Sequence, residues 1–340
     1  MTSDACLPTT RLGRTGLQVS RLALGTMTFG LQTDEATSFQ ILDKASQAGI
    51  NLVDTADVYP LGGTVATTGA TESIIGRWLH AGGPARRAAT VLATKAVGKV
   101  GPHPWNQGAS AKHLLAAIDA SLARLQTDHV DLYQLHSDDR ATPLDESLAA
   151  LDRIVRSGRA RYIGVSNFFA WRLAKALGRS ELRHWAAFIS VQPRYSLLFR
   201  EIERELLPLA AEEGLGVIPY NPLAGGLLSG KYRQGSAPEA NTRFTLGTAG
   251  AMYQDRYWNE RSFATVAQLQ TLADEAGLPL ATLAVAWVMA NPLVTAPILG
   301  ASRPEQLDAT IAAASVSLDP ALKQRLDDLT ADYRKGDAPR

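Results

Sequence analysis

A tyrosine, a lysine, an aspartate and a histidine fall where they could act together on one proton. Asp54 ends the apolar run Asn51–Asp54, Lys95 ends Val91–Lys95, and His136 ends Val130–His136. Tyr59 lies five residues beyond Asp54. A phenol titrates near about pH 10, too high for an efficient general acid at neutrality. An ammonium beside it stabilises the phenolate, so Lys95 is expected to lower that value, with Asp54 as its countercharge. His136 can donate a hydrogen bond to a carbonyl oxygen, polarising and orienting it. The set amounts to a proton donor beside a carbonyl pocket. It lacks a hydride, which no side chain supplies, so a nicotinamide or flavin is implied.

Taken singly, each residue has an ordinary structural role. Asp54 could cap a helix or loop, His136 could be a hydrogen-bonded core residue, and Tyr59 could simply pack. Lys95 is less ordinary, because lysine is seldom buried without a partner. The joint placement at three successive strand ends favours the chemical reading.

The elements that must position them follow from the apolar pattern. Strands are expected at Leu22–Gly25, Asn51–Asp54, Val91–Lys95, Val130–His136, Tyr162–Ser166, Phe188–Val191, Gly216–Tyr220 and Ala296–Leu299. These runs show little alternation, as parallel strands buried on both faces do. Helical spacing separates them at Ser38–Ala48, Glu72–Leu79, Ala111–Leu125, Leu144–Ser157, Trp171–Leu177 and Arg200–Glu213. It resumes at Phe263–Ala276, Leu280–Ala290 and Pro304–Ala314. Gly49, Gly158 and Gly214 follow helical stretches where a left-handed cap is wanted. Before all of these, RLGRTGLQVSRLALG reads as a β-hairpin about an Arg-Thr-Gly turn.

Eight strand–helix alternations predict an α/β fold, a (β/α)8 TIM barrel with an N-terminal β-hairpin and long C-terminal-face loops. A doubly wound sheet would carry a Gly-rich fingerprint after its first strand, and LALGTMTFG is not one. The expected organisation is a single barrel domain over 1–340, with its core at about 11–318 and a C-terminal helix and tail at 319–340. The tail DYRKGDAPR reads as frayed and solvated. The least regular stretch is Tyr232–Arg261, of the length that lids and binding loops have.

Composition narrows the partners. Lys and Arg (34) nearly balance Asp and Glu (33), leaving a charge of +1. That gives no reason to expect nucleic acid or an acidic membrane. Hydrophobic residues make up 46% and charged residues 20%, the balance of a soluble globular chain. No run reaches the length of a membrane span and no signal-peptide pattern opens the chain, so a cytoplasmic protein is expected. Cys6 is the only cysteine, so no intramolecular disulfide can form. The six histidines are scattered and only His136 ends a strand, which argues against a metal hydrolase.

Several segments together resemble the aldo-keto reductase superfamily: NLVDTADVY (Asn51–Tyr59), ATK (Ala93–Lys95), DLYQLH (Asp131–His136) and GVSN (Gly164–Asn167). VQPRYSLL (Val191–Leu198), YNPLAGGLLSGKY (Tyr220–Tyr232) and GASRPEQL (Gly300–Leu307) continue the match in order. The resemblance implies a barrel binding NADPH, or NADH, across its strand ends, and a small-molecule carbonyl substrate. It makes Tyr59 the general acid, Lys95 and Asp54 its tuning pair, and His136 the carbonyl-orienting residue. Ser166, Asn167 and Gln192 match holders of the nicotinamide carboxamide, and Tyr220 the aromatic stacked on that ring. Thr26 and Met27, after the first strand, are counted with Asp54 among the cofactor contacts.

The resemblance also assigns Asn221, Leu223, Gly225 and Lys231 to a loop around the pyrophosphate, where backbone N–H groups and an ammonium suit phosphate. Gly300, Ser302, Arg303 and Gln306 match the adenosine end, with Ser302 and Arg303 expected at a helix start and suited to a 2′-phosphate. Arg243 is a candidate clamp at the same end. Ala309 and Thr310 depart from the Glu and Asn that many relatives use to hold adenine. Phe29, Trp105 and Trp258, with Tyr253 and Tyr257, are candidate pocket walls, and Pro60–Thr71 part of the rim. The same fold serves potassium-channel β subunits, so a cofactor-binding regulatory subunit is the competing function. Those often replace the catalytic histidine with Asn, whereas His136 is present here.

Overall fold

An antiparallel hairpin comes first in the computed structural model, which describes residues 7–335. Cys6 and the last five residues of the tail lie outside the described residues. β1 (Thr9–Arg11) pairs with β2 (Gln18–Ser20), Thr10 opposite Val19. The turn between them presses against the base of the main sheet. Gly13 has φ +61°, and a Cβ there would fall 2.7 Å from the Gly214 carbonyl oxygen, so glycine alone fits.

The main sheet follows. β3 (Ala23–Gly25), β4 (Leu52–Asp54), β5 (Val91–Ala96) and β6 (Val130–Leu135) run in chain order. β7 (Ala160–Ser166), β8 (Phe188–Gln192), β9 (Gly216–Val217) and β10 (Ile298–Gly300) continue it. All eight are parallel, β3 to β9 each pair with their neighbours in chain order, and β10 pairs with β3. The ring shuts between β9 and β10 through bridges Val217–Val294 and Tyr220–Ile298. This is the expected (β/α)8 barrel with its N-terminal hairpin.

The helices form the outer layer. They are α1 (Glu35–Gln47), α2 (Ala70–Ala89), α3 (Ala111–Leu125), α4 (Leu144–Arg156), α5 (Ala170–Arg183) and α6 (Leu206–Glu213). After them come α7 (Gly250–Tyr257), α8 (Glu260–Glu275), α9 (Leu280–Met289), α10 (Gln306–Ile311) and α11 (Pro320–Leu329). The cause of α4 is legible in its spacing. Leu144, Leu148, Leu151 and Ile154 recur every three or four residues and are buried, while Asp145, Glu146 and Arg153 face outward. Replacing Leu148 by Ala would cost about 2–5 kcal/mol by the usual cavity penalty.

Two apolar layers result. One lies between the sheet and the helices. The other fills the base of the ring, where Leu12 and Val19 of the hairpin meet Ala23, Leu52, Ala93, Leu132 and Ile218. The hairpin is the plug of the barrel.

Three expectations need correction. α2 runs to Ala89 rather than Leu79, with a break at Gly83–Pro84 that a helical pattern alone does not span. The stretch Tyr232–Arg261 holds a helix, α7, whose residues Tyr253 and Tyr257 anchor it from one face. The helix expected from Pro304 begins at Gln306, leaving Ser302 and Arg303 in the turn before it. Among the described residues no single helix is long and apolar enough to cross a membrane, and α8 with α9, which pass only together, are bent by 91°.

Candidate active site

Side chains alternate along a strand, so residues two apart share a face. Above the apolar plug this rule builds the site. Leu52 is followed on the inner face by Asp54, Ala93 by Lys95, and Leu132 by Gln134 and then His136. Each strand thus carries an apolar residue at the base and a polar one above it.

Lys95 is wholly buried and Asp54 is 3% exposed. The Lys95 ammonium donates to Asp54 Oδ2 at 2.5 Å and to the Thr55 carbonyl at 2.8 Å. Asp54 Oδ1 accepts from Gln134 Nε2 at 3.0 Å and from Gln192 Nε2 at 2.8 Å. Both carboxylate oxygens are therefore occupied, which is what keeps a buried charge tolerable. Gln134 was not singled out from the sequence. Its position two residues before His136, on the same strand face, was the signal.

Tyr59 and His136 stand over this layer. Their rings meet edge-on, centroids 5.6 Å apart at 82°, and the Lys95 ammonium lies 5.2 Å from the tyrosine ring centre. Tyr59 is held from its backbone, since its carbonyl accepts from Gly69 N at 3.1 Å. The Asn167 amide donates to the His136 carbonyl at 3.0 Å and to Ser166 Oγ at 3.0 Å, and Tyr220 Oη donates to Asn167 Oδ1 at 2.9 Å. The ends of β6, β7 and β9 are tied together at this point.

Electrostatics sets the protonation states. Burial pushes the Tyr59 hydroxyl well above the ordinary phenol range, and the Asp54 charge adds to the push. Tyr253 and Tyr220 add further, while Arg243 opposes them. This corrects the expectation that Lys95 holds the phenol down: its charge is answered by Asp54 and the Thr55 carbonyl. Burial likewise drives His136 down to about 3, with Lys95 adding to it. Its ring edge faces the cavity, yet protein surrounds the rest of it. At neutrality the phenol keeps its proton and the imidazole is uncharged. The pair can donate hydrogen bonds and one proton without changing the charge of the site beforehand.

A cavity of about 1230 Å³ opens above these residues. Asp54, Tyr59 and His136 line it, with Thr26, Met27, Ser166, Asn167, Gln192 and Tyr220. So do Asn221, Leu223, Gly225, Lys231 and Arg243 on one side, and Gly300, Ser302, Arg303 and Gln306 on the other. One continuous space thus meets nearly every residue singled out from the sequence, Lys95 lying just beneath its floor.

A family model described as the aldo/keto reductase family matches residues 21–331. The chain belongs to the aldo/keto reductase family. Relatives agree over nearly their whole lengths. An uncharacterized oxidoreductase, YrpG, of Bacillus subtilis is 45% identical over 94% of this chain and 95% of its own. A probable voltage-gated potassium channel subunit beta of Arabidopsis thaliana is 35% identical over 90% of each chain. The L-glyceraldehyde 3-phosphate reductase of Escherichia coli is 33% identical, covering 88% of this chain and 86% of that one.

Members of the aldo/keto reductase family generally use nicotinamide cofactors, and the cavity walls of this chain fit such a group chemically. Asn221, Ala224, Gly225 and Gly226 all have positive φ, which folds a tight turn that sets Gly225 and Gly226, without side chains, on the cavity wall. Arg243 Nη1 is buried and has no hydrogen-bond partner among the described residues. A Cβ built on Gly300 would meet nothing within 4 Å, so that wall is open to a ligand.

Some assignments change place. Arg243 lies 5.4 Å over the Tyr253 ring and its charge bears on Tyr59, so it reaches the catalytic end of the cavity rather than the adenosine end alone. At the adenosine end, Gln306 Oε1 accepts from Ser302 N at 2.8 Å and from Arg303 N at 3.3 Å, shaping that turn. Of the five candidate pocket walls, Tyr253 lines the cavity and the other four do not. Phe29 is fully buried in the core. Trp105 is half exposed, stacked on His103 at 4.6 Å on the outer part of its loop. Trp258 packs edge-on among Tyr232, Phe244 and Phe263. The rim comes instead from Pro60–Val65 and Thr68 of the predicted insertion, and from Val58, Lys99, Met252 and Tyr253.

Proposed function

We propose that this protein reduces an aldehyde or ketone to the alcohol with NADPH, and oxidises the alcohol in the reverse direction. One observation carries the reading: a protonated phenol and a neutral imidazole meet edge-on in a dinucleotide-sized cavity, above a buried Lys95–Asp54 pair. The nicotinamide would supply a hydride to the carbonyl carbon. Tyr59 would donate its proton from Oη to the carbonyl oxygen as negative charge develops there. His136 would donate a hydrogen bond to the same oxygen, fixing which face of the carbonyl is presented. A raised phenol remains competent, because an alkoxide is a stronger base than a phenolate. Lys95, held by Asp54, then offers the nearest positive charge to the tyrosinate until solvent restores the proton.

Around that chemistry, Ser166, Asn167 and Gln192 would hold the carboxamide and Tyr220 the ring face. The turn at Asn221–Gly226 and the Lys231 ammonium would take the pyrophosphate. Ser302 and Arg303 favour NADPH over NADH, since an exposed guanidinium beside a hydroxyl suits a 2′-phosphate.

A second reading is a cofactor-binding regulatory subunit with little turnover, supported by the identity to the Arabidopsis channel protein. His136 weighs against it. A panel of aldehydes and ketones, followed by loss of NADPH and NADH absorbance in parallel, separates the two. Turnover of panel members with NADPH preferred supports the reductase. Tight NADPH binding with no turnover across the panel supports the regulatory subunit.

A further inference from the structure

The loop after β5 carries an unassigned cation into the catalytic end of the cavity. Lys99 lines that cavity with Val58, Tyr59 and His136. It makes no hydrogen bond or ion pair among the described residues. Its backbone, by contrast, is closely built. Val97 has φ 109°, a conformation that a β-branched residue adopts only when its surroundings enforce it. Gly98 follows, and a Cβ there would stand 2.2 Å from Val58 Cγ1, so the turn lies directly on the residue preceding Tyr59. Gly108 N closes the loop on the Val97 carbonyl at 2.8 Å, and Val100 N bonds to the Asn106 carbonyl at 2.9 Å. Strain and close packing together hold the Lys99 backbone at the rim beside the proton donor.

The charges elsewhere in the cavity make Lys99 distinct. The carboxylates lining it are Asp54, Glu239 and Glu305. Asp54 is engaged by Lys95, and the other two lie on the segments assigned to the dinucleotide. Lys231, Arg243 and Arg303 lie on those same segments, where phosphates would meet them, and Arg256, which also lines the cavity, lies on α7 with its charge bearing on Tyr257. Lys99 has neither a carboxylate nor an expected phosphate to face.

We infer that Lys99 forms a subsite for an anionic group on the carbonyl substrate, a carboxylate or a phosphate, at the far side of Tyr59 from the cofactor. The inference rests on the reductase reading and narrows it to aldehydes or ketones that carry a negative charge. An ammonium on a rigid loop at a partly enclosed cavity mouth attracts such a group more than one in open solvent does.

The test compares charged and neutral carbonyl substrates of matched shape, with NADPH saturating. One pair is para-carboxybenzaldehyde and its methyl ester; the other is para-formylphenyl phosphate and para-methoxybenzaldehyde. For each pair the ratio of kcat/KM, charged over neutral, is measured in the wild type, Lys99→Met and Lys99→Arg. The inference expects at least one ratio to fall about fivefold in Lys99→Met, the scale of one exposed charge pair, and to recover in Lys99→Arg. That fall should lie in KM and fade at high salt. A fall confined to the first pair identifies a carboxylate subsite, and one confined to the second a phosphate subsite. Ratios unchanged in both pairs, with the neutral aldehydes still reduced, overturn the inference and leave the reductase reading standing. Absence of turnover with every substrate would overturn both.

Discussion

Asp54 holds the Lys95 ammonium at 2.5 Å on one carboxylate oxygen, inside a ring of strands where neither residue reaches solvent appreciably. Its other oxygen takes two glutamine amides, so the ion pair is part of a closed network rather than an isolated contact. Removing one partner leaves the other charge buried without compensation. Lys95→Met is therefore expected to cost about 3–5 kcal/mol of folding stability. The double variant Lys95→Met/Asp54→Asn should recover much of that loss, because no uncompensated charge remains. Urea unfolding of the wild type, Lys95→Met, Asp54→Asn and the double variant checks this; a double-variant loss equal to the sum of the two single losses would show the pair to be independent.

A second ion pair, its carboxylate buried and its arginine partly exposed, supports the same region from behind. Glu72 is fully buried, accepting from Arg124 Nε at 2.7 Å and from Thr94 Oγ1 at 2.5 Å, one residue before Lys95. Arg124 also packs on Gly69, whose N–H holds the Tyr59 carbonyl. Arg124→Met is expected to lower stability by about 3 kcal/mol and to lower kcat as well, since it loosens both Tyr59 and β5. Thermal unfolding and steady-state kinetics on the same preparation test the two effects together.

His136 links stability to pH. Its folded pKa is near 3 against 6.5 for the free side chain. Between those values the unfolded chain binds a proton that the folded chain does not, so stability rises with pH there. The contribution is complete above the unfolded value and is lost as pH falls toward the folded one. The slope is at most about 1.4 kcal/mol per pH unit. Urea midpoints at about pH 5 and about pH 7 should differ more in the wild type than in His136→Gln. Identical differences would mean that His136 is protonated in the folded state.

Cofactor choice is the fourth expectation. Arg303→Ala should weaken NADPH binding by about tenfold or more, a charge-assisted contact's worth, and NADH binding far less. Fluorescence titration of both cofactors measures it. Equal losses would remove the 2′-phosphate assignment.

Much of this was legible in the residues because strands expose their rule directly. Uninterrupted Val, Ile and Leu runs marked the barrel, and Asp54, Lys95 and His136 stood at their ends. What was not legible depended on tertiary contact. Gln134 looked like an ordinary polar residue until the ring brought it to Asp54. Tyr59 was expected to be lowered by Lys95, but the answer depended on how closely Asp54 already neutralised that lysine. Phe29, Trp105 and Trp258 were placed by their loops, and loop position does not say which way a ring turns. α7 was hidden by a segment rich in Gly and Asn, where its anchoring tyrosines are spaced for a helix too short to announce itself.

The central claim is that Tyr59 delivers the proton to a reduced carbonyl. Replacing it by Phe removes only the hydroxyl, from a ring whose packing against His136 and Lys95 is retained. The decisive measurement is kcat of Tyr59→Phe on the best substrate of the panel, alongside NADPH affinity by fluorescence titration. The account predicts a fall of about 10²–10⁴-fold or more in kcat with cofactor affinity nearly unchanged. Retention of most of the wild-type kcat would contradict it and move the proton donor elsewhere.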